Sequence, residues 1–358
     1  MDRRRWHIAF LIAAAIAISY LDRQTLPVAI AAIQRDIPVS NTQFSQLQAA
    51  FLLAYAAMYA GGGKLIDVLG TRKGFLLIMI WWSLACASHG FAVGFAMLAA
   101  SRFLLGIGEG GGFPAATKAV AEWFPAQERS TAMGIINAGT AVGAVIAPPG
   151  IALIVSQLNW RWVFFLTGAA GLLWTVWWLR VYHSPAAGKG TAALAPIPWL
   201  RLLTMRQVWA LVLAKFLSDA AWYFYLFWMP KYLYDIRHFD IKQIGYYAWI
   251  PYAASGIGSL VGGWFSSRLL RGGHSADFSR KLALGLSAAL MPQIFFVTQA
   301  PVSLAIVLFS IAFFGQQSWS TLVMILPTDL FPQRAVGSVA GLVGFGGAMG
   351  GVVFGLVV

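Results

Sequence analysis

Six ionisable side chains fall inside long apolar runs of this sequence: Asp22, Arg23, Arg102, Glu109, Lys215 and Asp219. Their formal charges cancel. A charge at the middle of a membrane helix costs about 2.5–3.5 kcal/mol on insertion scales, so such residues face a cavity and one another. Carboxylates and cations gathered in a low-dielectric cavity can hold an anion. They can also take up and release a proton as a neighbouring cation moves. Arg102 and Glu109 lie in RFLLGIGEGGGF, from Arg102 to Phe113. Their spacing is two helical turns, which puts both on one face about 10 Å apart along the axis. That suits the two ends of a polar pocket. The glycines between and after them let a neighbouring helix approach closely. Asp22 and Arg23 are adjacent in YLDRQTLP, point about 100° apart, and need not pair. Lys215 and Asp219 are four apart in KFLSD, the spacing of an intrahelical ion pair. That pair allows either mutual neutralisation or a role at the site.

Aromatic and amide residues crowd the same runs: Tyr20, Tyr55, Trp222, Tyr223, Tyr225, Gln316, Gln317 and Trp319. A polar ring-shaped solute needs apolar faces to stack on and amides or hydroxyls for its own hydroxyls. In a chain that is 15% aromatic, many of these rings serve packing or the interfacial belt.

The elements that must position these residues are membrane helices. Eleven apolar spans are expected, roughly 7–30, 44–65, 73–92, 94–117, 130–154, 161–181, 207–231, 243–268, 280–299, 302–326 and 336–358. They do not alternate apolar with polar, as strands of a membrane barrel would. Lysines and arginines set the orientation. With the N-terminus in the cytoplasm, 17 of them fall on the cytoplasmic side and 5 on the outer side. The stretch 184–206 is rich in Pro, Gly and Ala and reads as a cytoplasmic linker between an N-terminal bundle, 1–183, and a C-terminal bundle, 207–358. An internal repeat supports the division. EWFPAQERSTAMGIINAGTAVGAVI from Glu122 aligns without gaps with DLFPQRAVGSVAGLVGFGGAMGGVV from Asp329, at an offset of 207 residues. Parallel repeats about an axis normal to the membrane suit a transporter with its site between two halves.

Composition excludes much else. The chain is 59% hydrophobic and 10% charged, against about 25% charged in soluble domains, and its mean hydropathy is +0.72. The net charge of +13 does not indicate nucleic acid, because the basic residues are scattered through short polar gaps. Cys86 is the sole cysteine, so there is neither a disulfide framework nor a cysteine metal site. The basic N-terminus leads into a run that contains Asp22 and Arg23 and reads as a retained first helix. GIGEGG has the form of a dinucleotide fingerprint, but no strand precedes it. His89 sits at a helix end and the other histidines in polar gaps, so no hydrolytic constellation forms. No enzyme, cofactor or metal is expected.

The residues resemble the major facilitator superfamily. GKLIDVLGTRKG matches its loop signature at Gly63, Asp67, Gly70, Arg72 and Lys73, and RFLLGIGEG resembles its helix 4 signature. The equivalent second-half loop, GGWFSSRLLRGG, keeps Gly263 but has Ser267 where an aspartate would fall. Within the superfamily, YLDR, GIGEGGGFPAATKAVAEWFPAQERSTAMGI, IAPP and FLSDAAWYFYLFWMPKYL resemble the anion:cation symporters, above all bacterial hexuronate transporters. The resemblance implies an all-α fold of two six-helix halves. Eleven spans then carry the expectation that a twelfth is missing. It implies a proton-coupled symporter for a sugar-acid anion in the bacterial inner membrane, acting as a monomer. Asp22 and Glu109 match the protonatable carboxylates, Arg23 and Arg102 the anion-handling arginines, and Tyr55 a cavity tyrosine. Lys215, Asp219, Trp222, Tyr223 and Gln316 complete the expected substrate site, and the loop signature serves gating. The alternatives are another organic anion (an aldonate, tartrate or an aromatic carboxylate) or a drug/proton antiporter.

Overall fold

The computed structural model describes residues 4–183, 197–235, 237, 247 and 249–357. Most of the linker, 184–196, lies outside the described residues, as does most of the polar gap before the eighth expected span. No strand occurs among the described residues, which form long helices joined by short turns. They are α1 (Arg4–Asp36), α2 (Asn41–Leu69), α3 (Thr71–Ser88), α4 (Phe95–Glu109), α5 (Gly112–Trp123), α6 (Ala126–Gln157), α7 (Trp160–Val181), α8 (Trp199–Leu203) and α9 (Arg206–Asp235). After these come α10 (Trp249–Arg271), α11 (Ala276–Ala289), α12 (Val302–Leu330) and α13 (Gln333–Val357).

Seven helices among the described residues are long and apolar enough to cross a membrane. The eleven runs read from the sequence do not each give such a helix. The expected span 94–117 is broken at Gly110 and Gly111 into α4 and α5. Pro114 follows in the first turn of α5, where its missing N–H and its ring oppose a continuous helix. The expected span 280–299 stops at Ala289, and Pro292 opens a short 3-10 turn instead. Local signals hold other ends. Ser40 and Gln43 form a capping box at the start of α2, and Asn159 caps α7. At the far end of α1, Arg161 and Trp160 both donate to Asp36, and the arginine hydrogen bond holds that carboxyl below the usual carboxylate range.

Two seams join the residues before the linker to those after it: α2 runs along α13, and α6 along α10. Both are built from small residues so that backbones touch. A Cβ at Gly63 would collide with Gly337 O, and one at Gly341 would stand 2.6 Å from Tyr59 O. On the other seam, a Cβ at Gly263 would collide with Ser130 O, and one at Gly134 would stand 2.5 Å from Ser259 O. Gly134 and Gly341 are partners in the 207-residue repeat. The repeat therefore reads out as two copies of one packing surface.

The short α8 lies within the linker, and Lys64 Nζ donates to Ile197 O at 3.3 Å. Charged contacts close this end of the bundle. Lys118 Nζ lies 2.7 Å from Asp67 Oδ1, and Ser338 N donates to Asp67 Oδ2 at 2.7 Å. Arg280 bonds Asp329 at 2.8 Å and Ser130 Oγ at 2.6 Å. Gln333 Nε2 donates to Ala121 O at 3.1 Å, and Arg129 Nη1 to Thr328 O at 2.8 Å.

Candidate functional site

Between the two seams lies a cavity of about 50 Å³. Helix α1 gives it Tyr20 and Arg23, α2 gives Tyr55 and Tyr59, and α6 gives Asn137. From the other side, α9 contributes Lys215, Asp219, Trp222 and Tyr223, and α12 contributes Gln317 and Ser320. Phe113 of α5, Met324 of α12 and Gly344 and Ala348 of α13 close the remainder. Residues from before and after the linker thus share one polar chamber.

Arg23 is its principal cation. Its Nε donates to Glu109 Oε2 at 2.7 Å, and Ser19 Oγ donates to the same oxygen at 2.7 Å. The guanidinium carbon lies 4.7 Å from the Tyr20 ring centroid and 4.4 Å from that of Tyr55. Cation–π contact with these rings holds the plane of the group. Glu109 Oε1 has no hydrogen-bond partner among the described residues.

Asp22, one residue before Arg23, points away from the cavity into a pocket of its own. Trp82 Nε1 donates to its Oδ2 at 2.6 Å and Cys86 Sγ to its Oδ1 at 3.4 Å. Thr167 Oγ1 stands 3.1 Å from Cys86 Sγ. The groups bonded to this buried carboxylate are hydrogen-bond donors. They differ from the ring of oxygen ligands that a hard metal cation requires, and no metal-ligand cluster occurs among the described residues.

Arg102 is almost fully buried and donates through Nη2 to Gln48 Oε1 at 2.9 Å and to Arg23 O at 3.4 Å. Its Nε and Nη1 have no partner among the described residues. Glu109 pairs with Arg23 rather than with Arg102, as their two-turn separation on α4 allows. Lys215 Nζ bonds Asp219 Oδ1 at 2.8 Å and Ser320 Oγ at 2.6 Å. The glycines of the α4 run serve contact. A Cβ at Gly108 would stand 2.6 Å from Trp82 Cα, and one at Gly110 2.7 Å from Tyr55 O.

Of the residues expected at the site, Arg23, Tyr55, Lys215, Asp219, Trp222 and Tyr223 line the cavity. Asp22, Arg102 and Glu109 stand behind its wall. Gln316 does not line it: its Nε2 donates to Ser218 O at 2.9 Å, and its neighbour Gln317 takes the cavity position. One residue along a helix is about 100° of rotation, which decides between the two amides. The side chain of Tyr225 lies outside the described residues. In the loop signature, Gly63 and Asp67 meet α13, while Gly70 takes φ +76°, a conformation that favours glycine. Arg72 Nη2 donates to Leu179 O at 3.0 Å, and Lys73 is exposed.

Tyr59 and Asn137 escaped the sequence reading. Asn137 Nδ2 donates to Gln317 Oε1 at 2.8 Å, Thr321 Oγ1 at 3.0 Å and Ser259 Oγ at 3.2 Å, joining α6 to α12 and α10. The signal was there: Asn137 is a lone amide in an apolar run, where a polar side chain needs partners on neighbouring helices.

Comparison with known proteins gives the family and the fold. The family model described as Major Facilitator Superfamily matches residues 12–355. The hexuronate transporter of Escherichia coli strain K12 is 30% identical over 375 residues, covering 99% of this chain and 87% of that protein. The galacturonate transporter of Dickeya chrysanthemi is 31% identical over 308 residues, covering 80% of this chain and 89% of that protein. Among solved structures, the Escherichia coli fucose:proton symporter FucP superposes with a TM-score of 0.78 at 16% identity, covering 98% of this chain and 91% of that one.

Proposed function

The chain belongs to the major facilitator superfamily, a family of multi-pass membrane transporters and not of enzymes, and we propose that it is a proton-coupled symporter importing a sugar-acid anion, galacturonate or glucuronate, by alternating access. The observation that carries the reading is Arg23: a cation on the cavity wall, clamped between Tyr20 and Tyr55, whose partner Glu109 lies behind it. Arg23 receives the substrate carboxylate and the tyrosine rings face the sugar. The relatives named for hexuronate and galacturonate support that substrate class. Two intramembrane arginines, Arg23 on the cavity wall and Arg102 behind it, favour an anion over the lipophilic cation of a drug/proton antiporter.

Asp22 and Glu109 carry the protons. The donor-lined pocket around Asp22 supports a proton over a metal ion as the coupling species. When substrate takes Arg23, Glu109 loses its ion-pair partner, and a buried unpaired carboxylate favours the protonated form. Arg102, now on Gln48, moves to Glu109 when the proton leaves. The cavity, about 50 Å³, is smaller than a sugar acid, so loading requires its walls to part. The two halves, 1–183 and 207–358, rock on the glycine seams. With the N-terminus in the cytoplasm of a bacterium and the chain in the inner membrane, the charged contacts around Asp67 and Asp329 close the inner side, and substrate enters from outside.

The test is uptake of labelled galacturonate into proteoliposomes, with and without an inward proton gradient. Gradient-dependent accumulation competed by glucuronate is expected. Uptake of another organic anion but not of galacturonate would remove the hexuronate assignment. Accumulation indifferent to the gradient would remove the proton.

A further inference from the structure

The two ion pairs of the cavity are presented in opposite senses. In the first, the cation faces the cavity: the Arg23 side chain is 19% exposed and its partner Glu109 is 0% exposed. In the second, the carboxylate is the more exposed member: Asp219 is 16% exposed and Lys215 is 6% exposed. Lys215 is drawn back by its second bond, to Ser320 Oγ. The hydrogen bonds to Asp219 from Lys215 and Ser218 both fall on Oδ1. Oδ2 lies against the bare backbone of Gly347, where any Cβ would collide with it. The chamber thus has a positive pole on α1 and a negative pole on α9.

We propose that Asp219 is a specificity-determining residue that selects anions with one acid group and a hydroxyl-bearing far end, and rejects those with a second acid group. The inference rests on the organic-anion reading given above and adds a polarity to it. With its carboxylate on Arg23, a polyhydroxy acid turns its distal hydroxyls toward Asp219. A carboxylate accepts hydroxyl hydrogens in charge-assisted bonds. A second carboxylate at that end meets a like charge in a chamber that holds little water, and juxtaposed like charges cost several kcal/mol at a binding site. Lys215 cannot receive it, because its ammonium is already turned to Asp219 and Ser320.

Galactonate and galactarate make a matched pair, differing only in a terminal CH₂OH or carboxylate. Binding of each to the purified full chain in detergent is measured by calorimetry at neutral pH. The wild type is expected to bind galactonate at least about tenfold more tightly than galactarate. Asp219→Asn should narrow that gap to within about threefold by releasing Lys215. Asp219→Glu, which restores the charge, should widen it again. Equal affinity for the two acids in the wild type overturns the proposal, and this arm decides even if Asp219→Asn does not fold. A gap that survives Asp219→Asn unchanged also overturns it. If no sugar acid binds, 3-hydroxypropionate and malonate, which again differ only in a terminal CH₂OH or carboxylate, repeat the comparison. Binding of 3-hydroxypropionate alone then keeps the filter while the sugar-acid reading falls, and equal binding of both overturns the filter. Failure to bind any of the four acids removes the filter together with the anion reading.

Discussion

Asp67 and Ser267 hold equivalent places at the closed end of the bundle. Asp67 Oδ2 accepts the backbone N–H of Ser338 at 2.7 Å, and Ser267 Oγ accepts that of Thr131 at 3.1 Å. Thr131 and Ser338 are themselves one repeat apart. The serine that looks like decay of the loop signature keeps the contact and gives up the charge. The charge reappears nearby, where Arg280 bridges Asp329, Ser130 and Ser266.

The Asp67 contact is therefore the more fragile of the two to charge removal. Asp67→Asn leaves the Lys118 ammonium buried without its counter-ion, a loss on the order of 3–5 kcal/mol for a broken buried pair. The closed end should open more often. A cysteine placed at Ser338 then reacts faster with a water-soluble maleimide in the Asp67→Asn background than in the wild type. Cys86, the sole native cysteine, is buried and adds little background. Equal labelling rates would deny the contact a closing role.

Glu109→Gln keeps the shape and the Ser19 contact but cannot ionise. Proton-driven accumulation should vanish while exchange of substrate across the membrane continues. Counterflow and gradient-driven uptake, measured side by side, separate the two. Undiminished accumulation removes Glu109 from the coupling path.

Trp82→Phe deletes the indole donor of Asp22 and leaves a buried carboxylate short of a bond. A destabilisation of about 1–3 kcal/mol is expected for an unsatisfied buried polar group. Thermal unfolding in detergent reads it. A shift in the pH dependence of uptake, beyond the thermal effect, marks Asp22 as a coupling group rather than a structural one.

Gly344→Ala puts a methyl into the ring of Tyr59 on the cavity wall. Overpacking of this kind costs about 1–3 kcal/mol, and the phenol's way out is into the chamber. Substrate affinity should fall by about tenfold or more, about 1.4 kcal/mol per factor of ten. Affinity by calorimetry, with thermal unfolding as the control, checks it.

Much of this was legible in the sequence because charge is rare in a membrane run. Asp22, Arg23, Arg102, Glu109, Lys215 and Asp219 stood out singly, and the i, i+4 spacing of Lys215 and Asp219 became a 2.8 Å ion pair. The partners were not legible. Nothing in the spacing says that Glu109 bonds Arg23 rather than Arg102, since that depends on how α1 meets α4. Gln316 and Gln317 are indistinguishable by type, and only the rotation of α12 sets which faces the chamber. The break between α4 and α5 was hidden by unbroken hydropathy, although Gly110, Gly111 and Pro114 announced it in backbone terms. Tyr59 is one more ring in an aromatic-rich chain, and Asn137 takes its meaning from partners on α10 and α12 that the sequence does not name.

The seams have a consequence for how this chain tolerates change. Along α2–α13 and α6–α10 the two sides meet backbone to backbone, so sliding asks few side chains to leave their rotamers. The same bareness makes the contact one-sided to mutation. A methyl added at Gly63, Gly134, Gly263 or Gly341 is a wedge in a bearing, with no flexible tip to bend aside. A random-mutation library scored for transport should therefore come back nearly empty along these two lines, while the exposed leucines and phenylalanines of the same helices, such as Leu53, Leu260 and Phe345, fill with substitutions.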